Sequence, residues 1–213
     1  MSTGAIVKSI TRRGDTSFLI SVEVTSNCGR ETVEFAILDE LYESLDLSYG
    51  DDVSDILPTL DAHSETTAAY MSACASFAYV PSSVKALYRK LIRKGFSKES
   101  SAQAIEIVYS RGFVDEGAIA RRRAELMVSK LWGRSRIVRK LREEDFPDTI
   151  IKRVLSSLDE VDFAENCARV IEKKYSSLPR ERKEREKMYA SLIRLGYSTA
   201  DIKEAILRLS FDE

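Results

Sequence analysis

Leu91-Ile92-Arg93-Lys94-Gly95-Phe96-Ser97 returns twice in this chain, as Leu141-Arg142-Glu143-Glu144-Asp145-Phe146-Pro147 and as Leu192-Ile193-Arg194-Leu195-Gly196-Tyr197-Ser198. Asp145 stands fifty residues beyond Gly95, and Gly196 fifty-one beyond Asp145. Such fixed spacing marks an internal repeat. Each copy predicts a helix that ends where glycine takes a left-handed cap without a Cβ penalty, a conformation aspartate tolerates at some cost. The aromatic after it (Phe96, Phe146 or Tyr197) packs back on the helix just left. Ser97 and Ser198 are natural caps for the next helix, and Pro147 suits its first turn.

The next helix agrees across copies as well. Ala104, Ile105 and Val108 in the first copy match Val154, Leu155 and Leu158 in the second, and Ala205, Ile206 and Leu209 in the third. That spacing is one face of a helix. At another shared position Ile151 and Ile202 are matched by Ser101. Helices at about residues 66–79, 82–94 and 98–111 make up the first unit, and further helices fit at about 115–130 and 160–176.

Upstream the periodicity changes. Phe18, Ile20, Val22 and Val24 alternate with Ser17, Leu19, Ser21 and Glu23, the period of a half-buried strand. Ile6, Lys8 and Ile10 alternate before it, and Val33 with Phe35 after it. Arg12-Arg13-Gly14-Asp15 and Asn27-Cys28-Gly29-Arg30 supply turn chemistry. A three-stranded meander over about residues 5–36 follows. A short helix is expected over Ile37–Leu45, and a new helical stretch from Asp51-Asp52. The expected fold is mostly α: an N-terminal β-meander, then three tandem three-helix repeats in an elongated curved array. Its expected segments are 1–50, 51–111, 112–158 and 159–213.

The net charge of −1 over 213 residues hides a division. Residues 1–80 carry four cations against thirteen carboxylates, a net of −9, and the remainder carries 29 against 21, a net of +8. The basic part is suited to an anionic partner, or its lysines and arginines simply solvate helices; charge alone leaves both readings open. Dense cationic stretches are Arg121-Arg122-Arg123, then Arg134, Arg136, Arg139, Lys140 and Arg142. A third, Arg180, Arg182, Lys183, Arg185 and Lys187, is interleaved with Glu181, Glu184 and Glu186 and reads as a salt-bridged solvated helix.

Catalytic chemistry is not supported. His63, the only histidine, lies in a polar stretch and reads as a surface residue. No phosphate-binding glycine loop, zinc-protease motif or nucleophile elbow occurs. Cys28, Cys74 and Cys167 are odd in number and far apart, so they read as reduced thiols rather than a disulfide framework or zinc site. Asp51-Asp52 and Asp115-Glu116 read as helix starts favoured by the macrodipole rather than as metal ligands. Trp132 reads as a core or junction aromatic rather than a base-stacking platform. No cofactor is expected. No apolar run long enough to span a bilayer and no signal peptide is seen, so a cytoplasmic protein without membrane contact, and a monomer, is expected.

The chain resembles the RecX family in an ordered set of features: three such repeats, then the junction Arg111-Gly112-Phe113-Val114-Asp115-Glu116. The family typically has Gly-Tyr-Leu-Asp-Asp there, followed by Phe-Ala and an arginine-rich helix; here Ile119-Ala120-Arg121-Arg122-Arg123 stands in that place. Gly133-Arg134-Ser135-Arg136-Ile137-Val138-Arg139-Lys140-Leu141 matches the family's glycine, arginine–isoleucine and leucine pattern. Pro81-Ser82-Ser83-Val84 is similar to its Pro-Arg-Ser. Glu116, Ile119 and Asp145 depart from the family's aspartate, phenylalanine and glycine. The likeness covers about residues 66–209, and the β-rich N-terminus is similar to the extension of longer members.

The resemblance implies a non-catalytic regulator of DNA recombination, repair and the SOS response. It would bind the groove of the RecA–DNA filament and hinder filament growth, ATP hydrolysis and strand exchange. It also implies a binding face of Arg121, Arg122, Arg123, Arg134, Arg136, Arg139 and Lys140. Gly95, Phe96, Gly112, Phe113, Asp115, Gly133, Gly196 and Tyr197 would be turn residues. A helical-repeat module that binds DNA directly and an unrelated protein–protein adaptor are the rival readings.

Overall fold

The computed structural model describes residues 4–27, 29–175, 178–179 and 181–211; Cys28 and Arg180 lie outside them. Three antiparallel strands, β1 (Gly4–Arg13), β2 (Ser17–Ser26) and β3 (Gly29–Leu38), form a sheet in the order β1-β2-β3. Ile20 faces Phe35 and Val22 faces Val33 across β2 and β3. A bulge between Val7 and Ser9 re-phases β1. Its buried residues are therefore Ala5 and Val7, and Ile6 lies on the other side.

The helix expected over Ile37–Leu45 is only α1 (Asp39–Tyr42). Ile37 and Leu38 stay in β3, opposite Phe18 and Ser17, because both are wholly buried on the sheet. Asp51-Asp52 starts no helix. Val7 N–H donates to Asp51 O and Val53 N–H to Ala5 O, so this segment extends the free edge of β1. Backbone pairing with an open edge outweighs weak local helix propensity. Asp52 instead accepts from the Ser54 N–H and hydroxyl.

Nine longer helices follow among the described residues: α2 (Leu57–Tyr79), α3 (Val84–Arg93), α4 (Lys98–Ser110), α5 (Glu116–Ser129), α6 (Arg134–Glu143), α7 (Asp148–Ser157), α8 (Phe163–Lys174), α9 (Arg182–Arg194) and α10 (Thr199–Phe211). The helix expected at 66–79 thus begins nine residues earlier, at Leu57. The chain forms two compact units: Met1–Pro81 with Leu87–Val114, and Ser82–Ala86 with Asp115–Glu213.

The repeated turn is the same object three times. Gly95, Asp145 and Gly196 all have positive φ, at 96°, 64° and 93°. The next residue's N–H reaches back to the helix: Phe96 to Leu91 O, Phe146 to Leu141 O and Tyr197 to Leu192 O, at 3.3, 3.1 and 3.2 Å. These bonds satisfy carbonyls that a helix end leaves unpaired. Leu91, Leu141 and Leu192 are wholly buried. Ser97 and Ser198 cap α4 and α10 as their chemistry suggests, through Ser100 N–H and Asp201 N–H. Gly112 makes a related turn (φ 71°), and Asp115 caps α5 through Ala118 N–H.

In the first unit α2 lies against both β3 and α4. One arginine ties these parts together. Arg111, just past α4, makes a two-pronged ion pair with Glu40 of α1 and donates to the Tyr70 hydroxyl of α2 at 2.9 Å. Its guanidinium also lies over the Tyr70 ring, and Phe113 meets that ring edge-on. The Arg111 hydrogen bonds hold the Glu40 carboxyl below its ordinary value of 4.5. A lowered carboxylate pKa contributes stability that is present above the unfolded value and lost as pH falls through the folded one. Arg111→Ala should therefore destabilise the first unit by about 1 kcal/mol at neutral pH. Urea melts should show that difference shrinking below pH 4.5.

Ser101 occupies the position of Ile151 and Ile202, is wholly buried, and its hydroxyl has no hydrogen-bond partner among the described residues. An unsatisfied buried hydroxyl costs about 1–3 kcal/mol. Ser101→Ala should raise stability by about 1 kcal/mol in a denaturant titration, and a fall would refute this account of the site.

In the second unit the repeats are joined backbone to backbone. Gly133 N–H donates to Leu195 O at 2.8 Å and Ser135 N–H to Gly196 O at 3.1 Å. The Tyr197 hydroxyl donates to Leu131 O at 2.7 Å. Leu131 is itself left-handed (φ 58°), which no sequence signal announced. A Cβ on Gly133 would lie 2.2 Å from the Gly196 carbonyl carbon, and one on Gly196 would lie 2.4 Å from Arg136 N. Gly133 has an ordinary φ of −77°, so only this close approach demands glycine there. Gly133→Ala should cost about 1–3 kcal/mol by overpacking, read as a lowered Tm.

Candidate functional site

The sequence offers two arginine-rich stretches, and the structure treats them differently. On α6 the cations are largely answered locally. Arg134 pairs with Asp159 at 2.9 Å and lies over the Phe163 ring. Arg139 pairs with Glu143, and Lys140 with Glu143 and Glu144, at 3.6–3.9 Å. Arg142 pairs with Asp148 at 3.0 Å. Arg136 stacks its guanidinium on Trp132, 3.8 Å from the ring centre, while its backbone packs on Gly196. Trp132 packs on the core of the second unit, so Arg136 and Trp132 serve the junction between α6 and the α9–α10 turn.

On α5, Arg123 turns toward α6 and pairs with Glu144 at 3.7 Å. Arg121 and Arg122 turn the other way. With Arg153 of α7 they line an open cleft of about 480 Å³, floored by Ala118, Ile150 and Val154 and rimmed by Asp115 and Glu125. Among the described residues no ion pair or hydrogen bond engages the guanidinium of Arg121, Arg122 or Arg153. Asp115, the nearest helix cap, already accepts from Ala118 N–H. The helix geometry explains the split: successive residues turn through about 100°, so three arginines in a row cannot share one face.

The position of Arg153 is Gln103 in the first repeat and Glu204 in the third. Gln103 bonds to Thr66 of α2. Glu204 pairs with Arg208, which also reaches Asp162 and Glu165 of α8. Arg169, the counterpart of Arg122, pairs with Glu165 at 3.4 Å. Asp162, a cap like Asp115, has its carboxyl lowered chiefly by the hydrogen bond from Arg208. The groove between first and third helices is therefore closed by polar pairing in the outer repeats. In the middle repeat it is left cationic. Reading arginine runs misses Arg153, which stands alone among uncharged neighbours on its helix face. Its charge change relative to Gln103 and Glu204 is visible once the repeats are aligned, and that signal finds it.

The remaining candidates are structural. Gly95, Phe96, Gly112, Asp115, Gly133, Gly196 and Tyr197 all sit in turns or caps, and Phe113 is 53% exposed beside Tyr70. Cys167 is buried in the second unit's core and burial pushes its thiol up to about 12, which makes it a poor nucleophile. Burial lowers the His63 pKa. Its Nδ1 is buried with no hydrogen-bond partner among the described residues, and His63 is half-buried rather than the surface residue its polar neighbours suggest. Among the described residues no group of His, Cys, Asp and Glu is placed to hold a metal, and no helix is long and apolar enough to cross a membrane.

Comparison with known proteins agrees with this architecture. Residues 160–206 match the family model described as RecX, third three-helix domain. The chain is 16% identical to a regulatory protein RecX of known crystal structure, with a TM-score of 0.73 over 93% of this chain and 97% of that one. It is 19% identical to RecX from Lactobacillus salivarius, with a TM-score of 0.62 over 69% and 97% of the two chains. These two likenesses concern the fold. In sequence it is 25% identical to the regulatory protein RecX of Clostridium tetani over 60% of each chain. It is 34% identical to that of Pelodictyon phaeoclathratiforme over 56% of this chain and 75% of the relative. With the third repeat matched by its own family model and three-quarters of a relative aligned at that identity, the chain belongs to the RecX family.

Proposed function

We propose that this protein is a non-catalytic negative regulator of RecA that binds the groove of the RecA–DNA filament and hinders its growth, ATP hydrolysis and strand exchange. The observation that carries the reading is the cleft of the middle repeat, where Arg121, Arg122 and Arg153 outnumber the carboxylates of Asp115 and Glu125 and make no ion pair among the described residues. Unpaired arginines on neighbouring helices repel one another, and an anionic partner relieves that repulsion. The filament, a protein coat on nucleic acid, presents such charge. Arg134, Arg139 and Lys140 extend the basic surface at lower effective charge, because glutamates and aspartates share their fields. Arg123 and Arg136 act by orienting α5 and α6. Family membership supports a regulatory role.

The test is RecA-dependent ATP hydrolysis on single-stranded DNA. Substoichiometric wild-type protein should slow it. Exposed charges are worth about 0.2–1 kcal/mol each. Changing Arg121, Arg122 and Arg153 together to alanine should therefore raise the inhibitory concentration about tenfold, with helical content unchanged. Changing Arg182, Lys183 and Arg185 should do little, since Arg182 already pairs with Glu186 and Arg185 with Pro179 O. If the arginines touch phosphates, the triple variant also flattens the salt dependence of binding, by about 0.9 in log–log slope for each phosphate no longer neutralised. Inhibition abolished by the α9 set but not by the cleft set would reject this assignment.

A further inference from the structure

The three repeated turns differ in what covers them. In the second repeat, the turn is met by the start of α3 at Ser83, whose hydroxyl donates to Glu144 O at 2.6 Å and accepts from Ala86 N–H. In the third, it is met by the start of α6 at Gly133, whose N–H donates to Leu195 O. Ser83 and Gly133 are equivalent, each eight residues before the buried leucine of its own repeat. Glu144 O and Leu195 O are equivalent too, each just before the left-handed residue. One rule thus holds twice: the turn of a repeat receives the first turn of a helix entered through a small residue. Its aromatic is sealed as a result, Phe146 to 5% exposure and Tyr197 to 2%.

The first repeat has the turn without the guest. Lys94 O and Gly95 O accept no hydrogen bond from any described residue. Gly95 is exposed, nothing lies within 4 Å of a Cβ placed on it, and Phe96 is only partly buried. The third repeat cannot supply the guest in another copy of this chain. The counterpart of Ser83 and Gly133 there is Glu184, inside α9, which carries one more helical turn.

We propose that the Lys94–Phe96 turn is a docking socket for the N-terminus of a helix in a protein partner. The guest enters through serine or glycine and carries a carboxylate in its first turn. The two filled sockets supply the shape of the guest, and charge supplies its sign. In the second repeat the guest's Lys85 pairs with Asp145 of its host turn. The turn of the first repeat is instead flanked by Arg93 and Lys98, which are in no ion pair among the described residues, while Lys94 donates to Ser72 and Ser76 and the Glu65 carboxylate is taken up by Ser97 and Ser100. An acidic first turn also complements the guest helix's own dipole. The inference concerns a protein guest and does not depend on RecA being the target.

The probe is a lactam-stapled helical peptide of residues 82–93 carrying Lys85→Glu, titrated into the isotope-labelled full chain. Saturable amide shifts are expected at Gly95, Phe96 and Lys98. Replacing Arg93 and Lys98 by glutamate should reverse the preference, so that the peptide with its natural Lys85 binds and the Glu peptide does not. That reversal shows the variant is folded and the socket specific. No saturable shift up to about 1 mM peptide would overturn the proposal. So would equal shifts from a peptide that also carries Ser83→Leu, or shifts at these amides from a thymidine oligonucleotide alone, which would mark a phosphate site.

Discussion

Everything in the helical part hangs on a short bond across the end of a helix. The residue after a left-handed Gly95, Asp145 or Gly196 returns its N–H to a buried leucine's carbonyl. This single constraint stops the helix, reverses the chain, seats an aromatic on the helix just made and sets a serine or proline to begin the next one. It recurs at near-constant spacing, so each repeat is laid down with the same internal geometry. Asp145 shows that the conformation rather than the glycine is essential. Its carboxylate at that turn meets Lys85, an ion pair glycine could not offer.

The same turn then serves a second purpose. Its last carbonyls are the natural acceptors for a helix beginning elsewhere, because a helix start has spare N–H groups and a helix end has spare C=O groups. Packing α6 against Gly196 satisfies both at once and excludes any side chain from the seam. Neighbouring repeats therefore share backbone, and apolar packing around Ile137, Leu141, Met188 and Leu192 continues through the joint as one core. A joint of this kind is stabilised as a nearest-neighbour interface, and the Lys94–Phe96 turn of the first repeat differs in accepting no such helix start.

Function is read against that regular background. Where three copies share a scaffold, departures at equivalent positions are informative. Gln103, Arg153 and Glu204 occupy one position, and only the arginine is left without a partner among the described residues. In the outer repeats the same groove is knitted shut by Thr66 or Arg208. Charge density along the chain pointed to α5 and α6 alike. Counter-charges divide them: Glu143, Glu144, Asp148 and Asp159 all pair with α6 cations, and none of the four pairs with Arg121 or Arg122.

The sequence by itself determined the repeat, the left-handed turns, the caps at Ser97 and Ser198, the meander and the family. These are written in short-range patterns: a glycine at a helix end, a serine three residues before a free N–H, a period of two or of 3.6. It did not determine that Asp51–Val53 joins the edge of β1, that β1 bulges at Lys8, or that Leu131 turns left-handed. Nor did it show that Arg136 is absorbed by Trp132 while Arg153 faces an open cleft. Most of these depend on a partner tens of residues away. A backbone edge, a carboxylate or a ring becomes a neighbour only when the chain has folded, and electrostatic and steric selection act on neighbours in space.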